Sequence, residues 1–209
     1  MGNRAIITDS NKEMAVYLHW NGGRDSVEPF LAYCKARDFR RDSYGLARFC
    51  QVVGNYFGGG KSIGVLAYPG DAEAITMADD NGVYVVRNWE IVDRVYPKNW
   101  YGEQREYDFD KMLHAVDDAQ PESERLGGYL DTVEIPVSEL EIGDTVWFPP
   151  FDGGQPECGE VVGFNEKFMY ARGDLLGQPY VKLYDDVDCE MNPNCYPSRY
   201  GDTCAISPR

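Results

Sequence analysis

The features that usually reveal an enzyme are scarce in this sequence of 209 residues. It contains only two histidines, His19 and His114, and neither lies in a recognisable nucleophile motif. We therefore predict no catalytic residue and a function other than enzymatic catalysis. A small hydrolase that uses His19 is kept as an alternative, although a histidine beside a sheet aromatic is more often a hydrogen-bonded core residue.

Long apolar runs are also missing. None of the uninterrupted apolar stretches approaches the roughly 20 residues that a transmembrane helix needs. The residues after Met1 are polar and then strand-like, without the apolar region of a signal peptide. We expect a cytoplasmic protein that does not bind membranes.

Closely spaced cysteine pairs are a third absence. Structural zinc sites normally contain pairs such as Cys-x2-Cys, and none occurs among the six cysteines. The four later cysteines are a weak zinc candidate, with free thiols or disulfides as the alternatives. They are Cys158, Cys189, Cys195 and Cys204. No other cofactor is predicted.

The negative charge is confined to one half of the chain. Residues 1–100 contain 12 acidic and 12 basic residues, whereas residues 101–209 contain 23 acidic and 8 basic ones and hold the whole net charge of −15. Because such a surface repels phosphates, we predict that this half does not bind nucleic acid directly. It either imitates the phosphate rows of DNA or keeps the protein soluble. The predicted acidic interaction surface consists of Asp174, Asp185, Asp186, Asp188 and Glu190.

The spacing of apolar residues predicts an α+β protein. Two consecutive helices would pack on a mainly antiparallel sheet, followed by a small acidic, β-rich and barrel-like domain. The first domain is expected over residues 1–119, a linker over 120–134, and the acidic domain over 135–209, with an irregular cysteine-containing tail from Asp185. Asn81-Gly82 predicts a hairpin turn in the first domain, and Pro69-Gly70-Asp71 predicts another turn.

The stretch from Tyr17 to Ser26 places many polar groups together. It predicts a strand, a glycine turn and a helix start, with Asp25 as the N-cap and Glu28 completing a capping box. Free amides at a helix N-terminus attract anions, and an arginine beside them can bind a phosphate or carboxylate. The alternative is a rigid turn that fixes the helix on the sheet. The candidate ligand-binding residues are Trp20, Gly22, Gly23, Arg24 and Ser26.

The link between the two predicted helices is basic. We interpret it as solvated surface rather than a nucleic-acid contact, because it is too long for a helix-turn-helix module and two aspartates interrupt it. Ser43 is predicted to cap the second helix. The basic residues in and near the link are Lys35, Arg37, Arg40, Arg41 and Arg48.

Six segments carry a resemblance to one family. They are Gly2-Asn3-Arg4-Ala5, Tyr17 to Ser26 with Glu28, Tyr44-Gly45-x-Ala47-Arg48, Gly54 to Gly59, Asn81 to Tyr84, and Pro121 to Glu124. Over about the first 125 residues, this pattern resembles an uncharacterised family of small proteins from bacteriophages and mobile elements of Gram-positive bacteria. The resemblance implies a mobile-element setting and supplies no catalytic residue.

These patterns favour a non-catalytic interaction protein of a phage or mobile element. The leading hypothesis is an inhibitor of a host nucleic-acid-directed defence complex, of the anti-CRISPR or anti-restriction type. Its acidic surface would act as a DNA mimic towards a nucleic-acid-binding host protein, because complementary potentials orient association. The alternative is a protein that binds a small phosphorylated ligand or nucleotide at the Gly22–Ser26 turn.

Overall fold

The computed structural model describes residues 2–59, 62–98, 100, 102, 106–164, 179–183 and 203–209. Contacts divide the chain into two compact units, Met1–Arg125 (unit 1) and Leu126–Arg209 (unit 2). Four helices and two mostly antiparallel sheets confirm the predicted α+β class. Within the described residues, no helix is both long enough and apolar enough to span a bilayer.

Unit 1 is built on a five-stranded sheet. Its strands lie in the order β3-β2-β1-β4-β5, and β1 and β4 are a parallel pair between antiparallel neighbours. Strand β1 pairs with β2 on one side, and the chain later returns to place β4 on its other side. The strands are β1 (Ala5–Asp9), β2 (Met14–Leu18), β3 (Ile63–Ala67), β4 (Val83–Arg87) and β5 (Glu90–Val95).

Helices cover both faces of this sheet. The short helix α3 contacts β1 and β4, and Ala74 packs with Ile6, Ala15 and Val83 on that face. Helices α1 and α2 lie on the opposite face, and α4 packs against both of them. The helices are α1 (Arg24–Ala36), α2 (Ser43–Tyr56), α3 (Asp71–Met77) and α4 (Phe109–Asp118).

Two sequence-based predictions for unit 1 are wrong. Asn81-Gly82 does not form a hairpin turn, because it leads from α3 into β4, and β4 pairs with β1 and β5 rather than β3. The hairpin turn is Asn88-Trp89 instead, where both residues have positive φ angles of 55° and 64°. Helix α3 follows directly on Gly70, where only a turn was predicted.

The helix caps also differ from the prediction. Asp42, not Ser43, caps α2, because its carboxylate accepts hydrogen bonds from the amides of Tyr44 and Gly45. Helix α1 begins at Arg24 with Gly23 as its N-cap, so the predicted Asp25 cap is wrong. Each shift moves the cap one or two positions towards the N-terminus.

Unit 2 contains a second five-stranded sheet in the order β6-β10-β7-β8-β9. Its core holds Leu140, Val146, Phe148, Val161 and Ile206. Among the described residues the outer strands do not pair with each other, so the sheet is open. Strand β10 lies within the predicted irregular tail, and this part of the prediction is wrong. The strands are β6 (Val133–Pro136), β7 (Thr145–Phe148), β8 (Glu157–Phe164), β9 (Pro179–Leu183) and β10 (Thr203–Ile206).

Candidate ligand-binding cleft

A cleft of about 360 Å³ lies in unit 1 where the parallel strands β1 and β4 end. The carboxyl ends of parallel strands meet at one edge of a sheet, and ligands bind there where the order of strand addition reverses. That reversal occurs beside β1, since β2 and β3 extend the sheet on one side and β4 on the other. The volume falls within the range of small-molecule sites.

The walls of the cleft are apolar and come from both layers. Ile7 and Val86 contribute from the sheet, and Leu31 and Phe49 contribute from α1 and α2. All four are buried, so these walls are part of the core rather than loose surface. Met14, on β2, is 41% exposed and lies at the mouth.

Trp89 closes one side of the cleft from the β4–β5 turn. Its indole donates a hydrogen bond to the carbonyl of Phe39 (2.8 Å) and stacks on Phe49 at 6.2 Å between ring centroids. A Cβ at Gly45 would overlap the carbonyl of Arg40 and lie 2.9 Å from the Trp89 ring, so only glycine fits there. These contacts hold a bulky residue at a φ of 64°, which is otherwise strained.

Two carboxylates at the rim are engaged by their own turns. Asp9 accepts hydrogen bonds from the amides of Asn11 (3.3 Å) and Glu13 (3.1 Å). Asp42 caps α2 and pairs with Arg40 at 2.5 Å. Partial desolvation opposes ionisation of Asp42, but the Gly45 amide and Arg40 outweigh it and hold its pKa below the ordinary value. These acids therefore order the turns around the cleft.

Three further charged residues lie at the rim. Arg41 precedes α2, Arg87 ends β4, and Glu13 lies between β1 and β2. All three side chains are exposed. Neither Arg41 nor Arg87 forms an ion pair within the residues that the structure describes. The two guanidinium groups are thus the cations available to a ligand.

The predicted anion-binding turn lies at the other end of β1. Gly22 packs so closely that a Cβ would come within 2.6 Å of Ala5 N and Asn3 O, and its carbonyl accepts a hydrogen bond from Tyr84. Ser26 is buried and accepts a hydrogen bond from Asn21. The glycine turn thus fixes α1 on the sheet, which was the alternative interpretation.

Arg24 of that turn is bound to its own helix. It forms an ion pair with Glu28 at 2.5 Å, and the Tyr107 hydroxyl donates to the other Glu28 oxygen. Burial, together with Glu28, raises the pKa of Tyr107 to about 12. Glu28 therefore ties the segment before α4 to α1 rather than completing a capping box.

His19 is exposed, which corrects the prediction of a core residue. Its Nδ1 lies 3.1 Å from the Tyr17 hydroxyl, and its ring meets Trp20 edge-on at 4.9 Å. Trp20 is 43% exposed. Ser62, whose carbonyl accepts a hydrogen bond from the His19 amide, belongs to a Gly60-Lys61-Ser62-Ile63-Gly64 pattern. However, this serine precedes a strand rather than a helix, unlike the nucleophile elbow of hydrolases.

The two described cysteines of the zinc candidate occupy opposite faces of the unit 2 sheet. Cys204 shares the core face with Ile206, whereas Cys158 pairs with Trp147 on the other face. Burial raises the pKa of the Cys204 thiol to about 11. No group of three or more potential metal ligands occurs in the described part of the chain. Cys189 and Cys195 lie outside it.

The predicted acidic surface also lies outside the described residues, since it comprises Asp174 and four acids between 185 and 190.

In the basic link, Arg37 is buried and stacks over Phe39, so the expectation of solvated surface is wrong for this residue. The sequence patterns place Arg41 on solvated surface and do not select Arg87 or Trp89, although all three line the cleft. The sequence signal that could have identified the turn beside the cleft was Asn88-Trp89, which lies between two strand patterns.

No protein-family model matches the sequence, and comparison with curated proteins and with solved structures gave no match. The cleft and its charges are therefore the basis for a functional proposal.

Proposed function

We propose that unit 1 is a small-molecule-binding module and that its site is the cleft at the ends of β1 and β4. The observation that supports this most is the position of a pocket with buried apolar walls at the reversal point of the sheet. The described residues that line the cleft include no histidine or cysteine. This composition favours binding without catalysis.

The test is ligand-observed NMR with a library of ring-containing fragments, using the full chain. Met14→Trp places a large side chain at the mouth of the cleft, and we expect it to weaken binding by about tenfold or more through steric exclusion. Val65→Trp is the matched control, because Val65 is 55% exposed on the adjacent strand and does not line the cleft. Equal effects of both variants, or no fragment binding, would refute the proposal.

The charge distribution favours a second candidate. Since residues 101–209 hold the whole net charge of −15, this half would bind a basic, nucleic-acid-binding host protein in a mobile-element setting. We propose that this binding takes the form of DNA mimicry by the five predicted acids, as in inhibitors of host defence. This function would not involve the cleft.

This second candidate is tested by neutralising Asp174, Asp185, Asp186, Asp188 and Glu190 to the corresponding amides. This variant should capture fewer DNA-binding proteins from host lysate than the wild type. The capture that remains should depend less steeply on salt concentration. The control neutralises five acids of residues 1–100, where charges balance. If both variants capture the same proteins, the acidic surface is not the binding determinant.

A further inference from the structure

The charges at the cleft indicate what kind of small molecule it accepts, and this inference rests on the proposed binding function. Five charged side chains line the rim: Asp9, Glu13, Arg41, Asp42 and Arg87. Their sum is slightly negative, so net charge alone does not define the ligand. What matters is which of these groups have hydrogen-bonding capacity left.

The two aspartates are already hydrogen-bonded to donors of the protein. Both oxygens of Asp9 accept backbone amides, and Asp42 accepts two amides and the Arg40 guanidinium. These hydrogen bonds stabilise the two carboxylate charges within the protein. Glu13 is the rim carboxylate that no donor among the described residues engages.

The arginines differ from the aspartates in this respect. Arg41 and Arg87 reach the rim from different walls, one from the segment before α2 and the other from the end of β4. Neither guanidinium has an ion-pair partner within the described ranges. Each guanidinium has five N–H donors in a planar arrangement that suits carboxylate, sulfonate and phosphate groups.

The interior of the cleft selects the rest of the ligand. Ile7, Leu31, Phe49 and Val86 offer apolar surface, and Trp89 adds a flat indole beside Phe49. Apolar walls of this kind favour a planar hydrocarbon or heteroaromatic body. We propose that the cleft binds an aromatic anion, with its ring between the sheet and α2 and its anionic group at Arg41 and Arg87.

A matched pair of fluorescent probes tests the proposal on the full chain. The probe 8-anilinonaphthalene-1-sulfonate carries an anionic group, and N-phenyl-1-naphthylamine has the same ring system without it. We expect the sulfonate to bind at least about fivefold more tightly, because charge-assisted hydrogen bonds exceed neutral contacts. Met14→Trp should lower the affinity for both probes, and this result would place their binding site in the cleft.

Charge variants then locate the anion. Arg41→Gln and Arg87→Gln should each lower the affinity for the sulfonate probe about tenfold, as expected for a lost charge-assisted hydrogen bond. The affinity for the neutral probe should change less than about twofold. Arg87→Lys should recover part of the loss. Glu13→Gln should strengthen the sulfonate by removing a like charge. Lys111→Gln is the control, since Lys111 is exposed on α4 and does not line the cleft.

Each outcome gives a decision. If the two probes bind equally, or if both arginine variants behave like Lys111→Gln, the anion inference is wrong while the cleft remains a binding site. Sulfonate binding that Met14→Trp leaves unchanged lies elsewhere and also overturns the inference. If neither probe binds, both the inference and the proposed binding function fail.

Discussion

At the scale of single residues, Trp89 is the side chain on which the cleft depends most. It occupies a backbone conformation that suits glycine or asparagine, yet it links the β4–β5 turn to α2 and to Phe39. Its packing and hydrogen bond outweigh the cost of a positive φ. Backbone preference therefore predicts that glycine at position 89 would stabilise the fold, whereas side-chain burial predicts that it would destabilise the fold.

We expect Trp89→Gly to lower the free energy of unfolding by about 2 kcal/mol or more, because lost indole packing exceeds the relief of strain. Trp89→Phe should cost about 1 kcal/mol through the lost hydrogen bond to Phe39. Urea unfolding measures both. Trp20→Phe is the control, since Trp20 is 43% exposed. A stabilised Trp89→Gly variant would show that strain dominates.

Gln120 is the second residue with a large predicted effect. It is 2% exposed and donates to the carbonyls of Val52 (3.2 Å) and Val116 (2.8 Å), while its oxygen accepts from Asn55 (2.9 Å). Gln120→Leu removes these three hydrogen bonds at a buried position, so we expect a loss of about 1–3 kcal/mol in unfolding free energy. The exposed Gln51→Leu should change it little in the same urea titration.

At the scale of elements, the start of α2 distinguishes the observed cap from the predicted one. Asp42→Ala removes the acceptor for the Tyr44 and Gly45 amides and should lower the midpoint of thermal unfolding. Asp42→Asn should retain most of the stability, because the amide oxygen still caps the helix. Ser43→Ala should have little effect. A larger loss in Ser43→Ala than in Asp42→Ala would contradict the cap assignment.

Strand β10 supplies the element-scale prediction for unit 2. Arg209, which follows it, binds Asp144 at 2.9 Å, and the Asp144 side chain is only 8% exposed. The hydrogen bond from Arg209 lowers the pKa of Asp144. A depressed carboxyl pKa stabilises the folded state above the unfolded value of about 3.9, and the contribution disappears as pH falls through the folded pKa.

We therefore expect unit 2 to lose stability below about pH 4, and Asp144→Asn to flatten that dependence while weakening the unit near neutral pH. Chemical unfolding from pH 2 to pH 7 is the measurement, followed by tryptophan fluorescence in a chain whose Trp20, Trp89 and Trp100 are replaced by phenylalanine, so that Trp147 alone reports. Glu157→Gln, an exposed acid on β8, should preserve the wild-type profile. An unchanged profile in Asp144→Asn would mean that other carboxylates control acid unfolding.

At the scale of the whole molecule, local sequence patterns predicted those helices and strands whose formation depends mainly on residues within the element. Val27, Phe30, Leu31 and Cys34 have the i, i+3, i+4, i+7 spacing of one helix face, α1 forms over them, and all four side chains are buried. Helix α3 was missed because seven residues after Pro69-Gly70 offer too short a pattern. The α2 cap was misplaced by one residue because serine and aspartate both suit the position, and the α1 cap was misplaced by two because that helix begins after a glycine rather than after the aspartate.

The cleft could not be predicted in this way. Its walls come from Ile7, Leu31, Phe49 and Val86, which are separated along the chain. The two strand residues meet because β4 pairs in parallel with β1, and the two helix residues reach them through packing on the sheet. No local signal specifies that pairing, since Asn81-Gly82 points to a hairpin that does not form. Similarly, the face on which a cysteine of unit 2 lies depends on strand register.

The position of β10 has a consequence for the order of folding. Cys204 pairs with Ile135 across 69 positions of sequence, and β10 separates β6 from β7 in the sheet. Strand β6 therefore has no neighbour until β10 arrives, whereas β1 and β2 of unit 1 form a local hairpin early. Such nonlocal pairing is slow because loop closure precedes any compensating contact. Nascent unit 2 would thus expose unpaired edges of β6 and β7 until β10 arrives, and aggregation would begin at these edges.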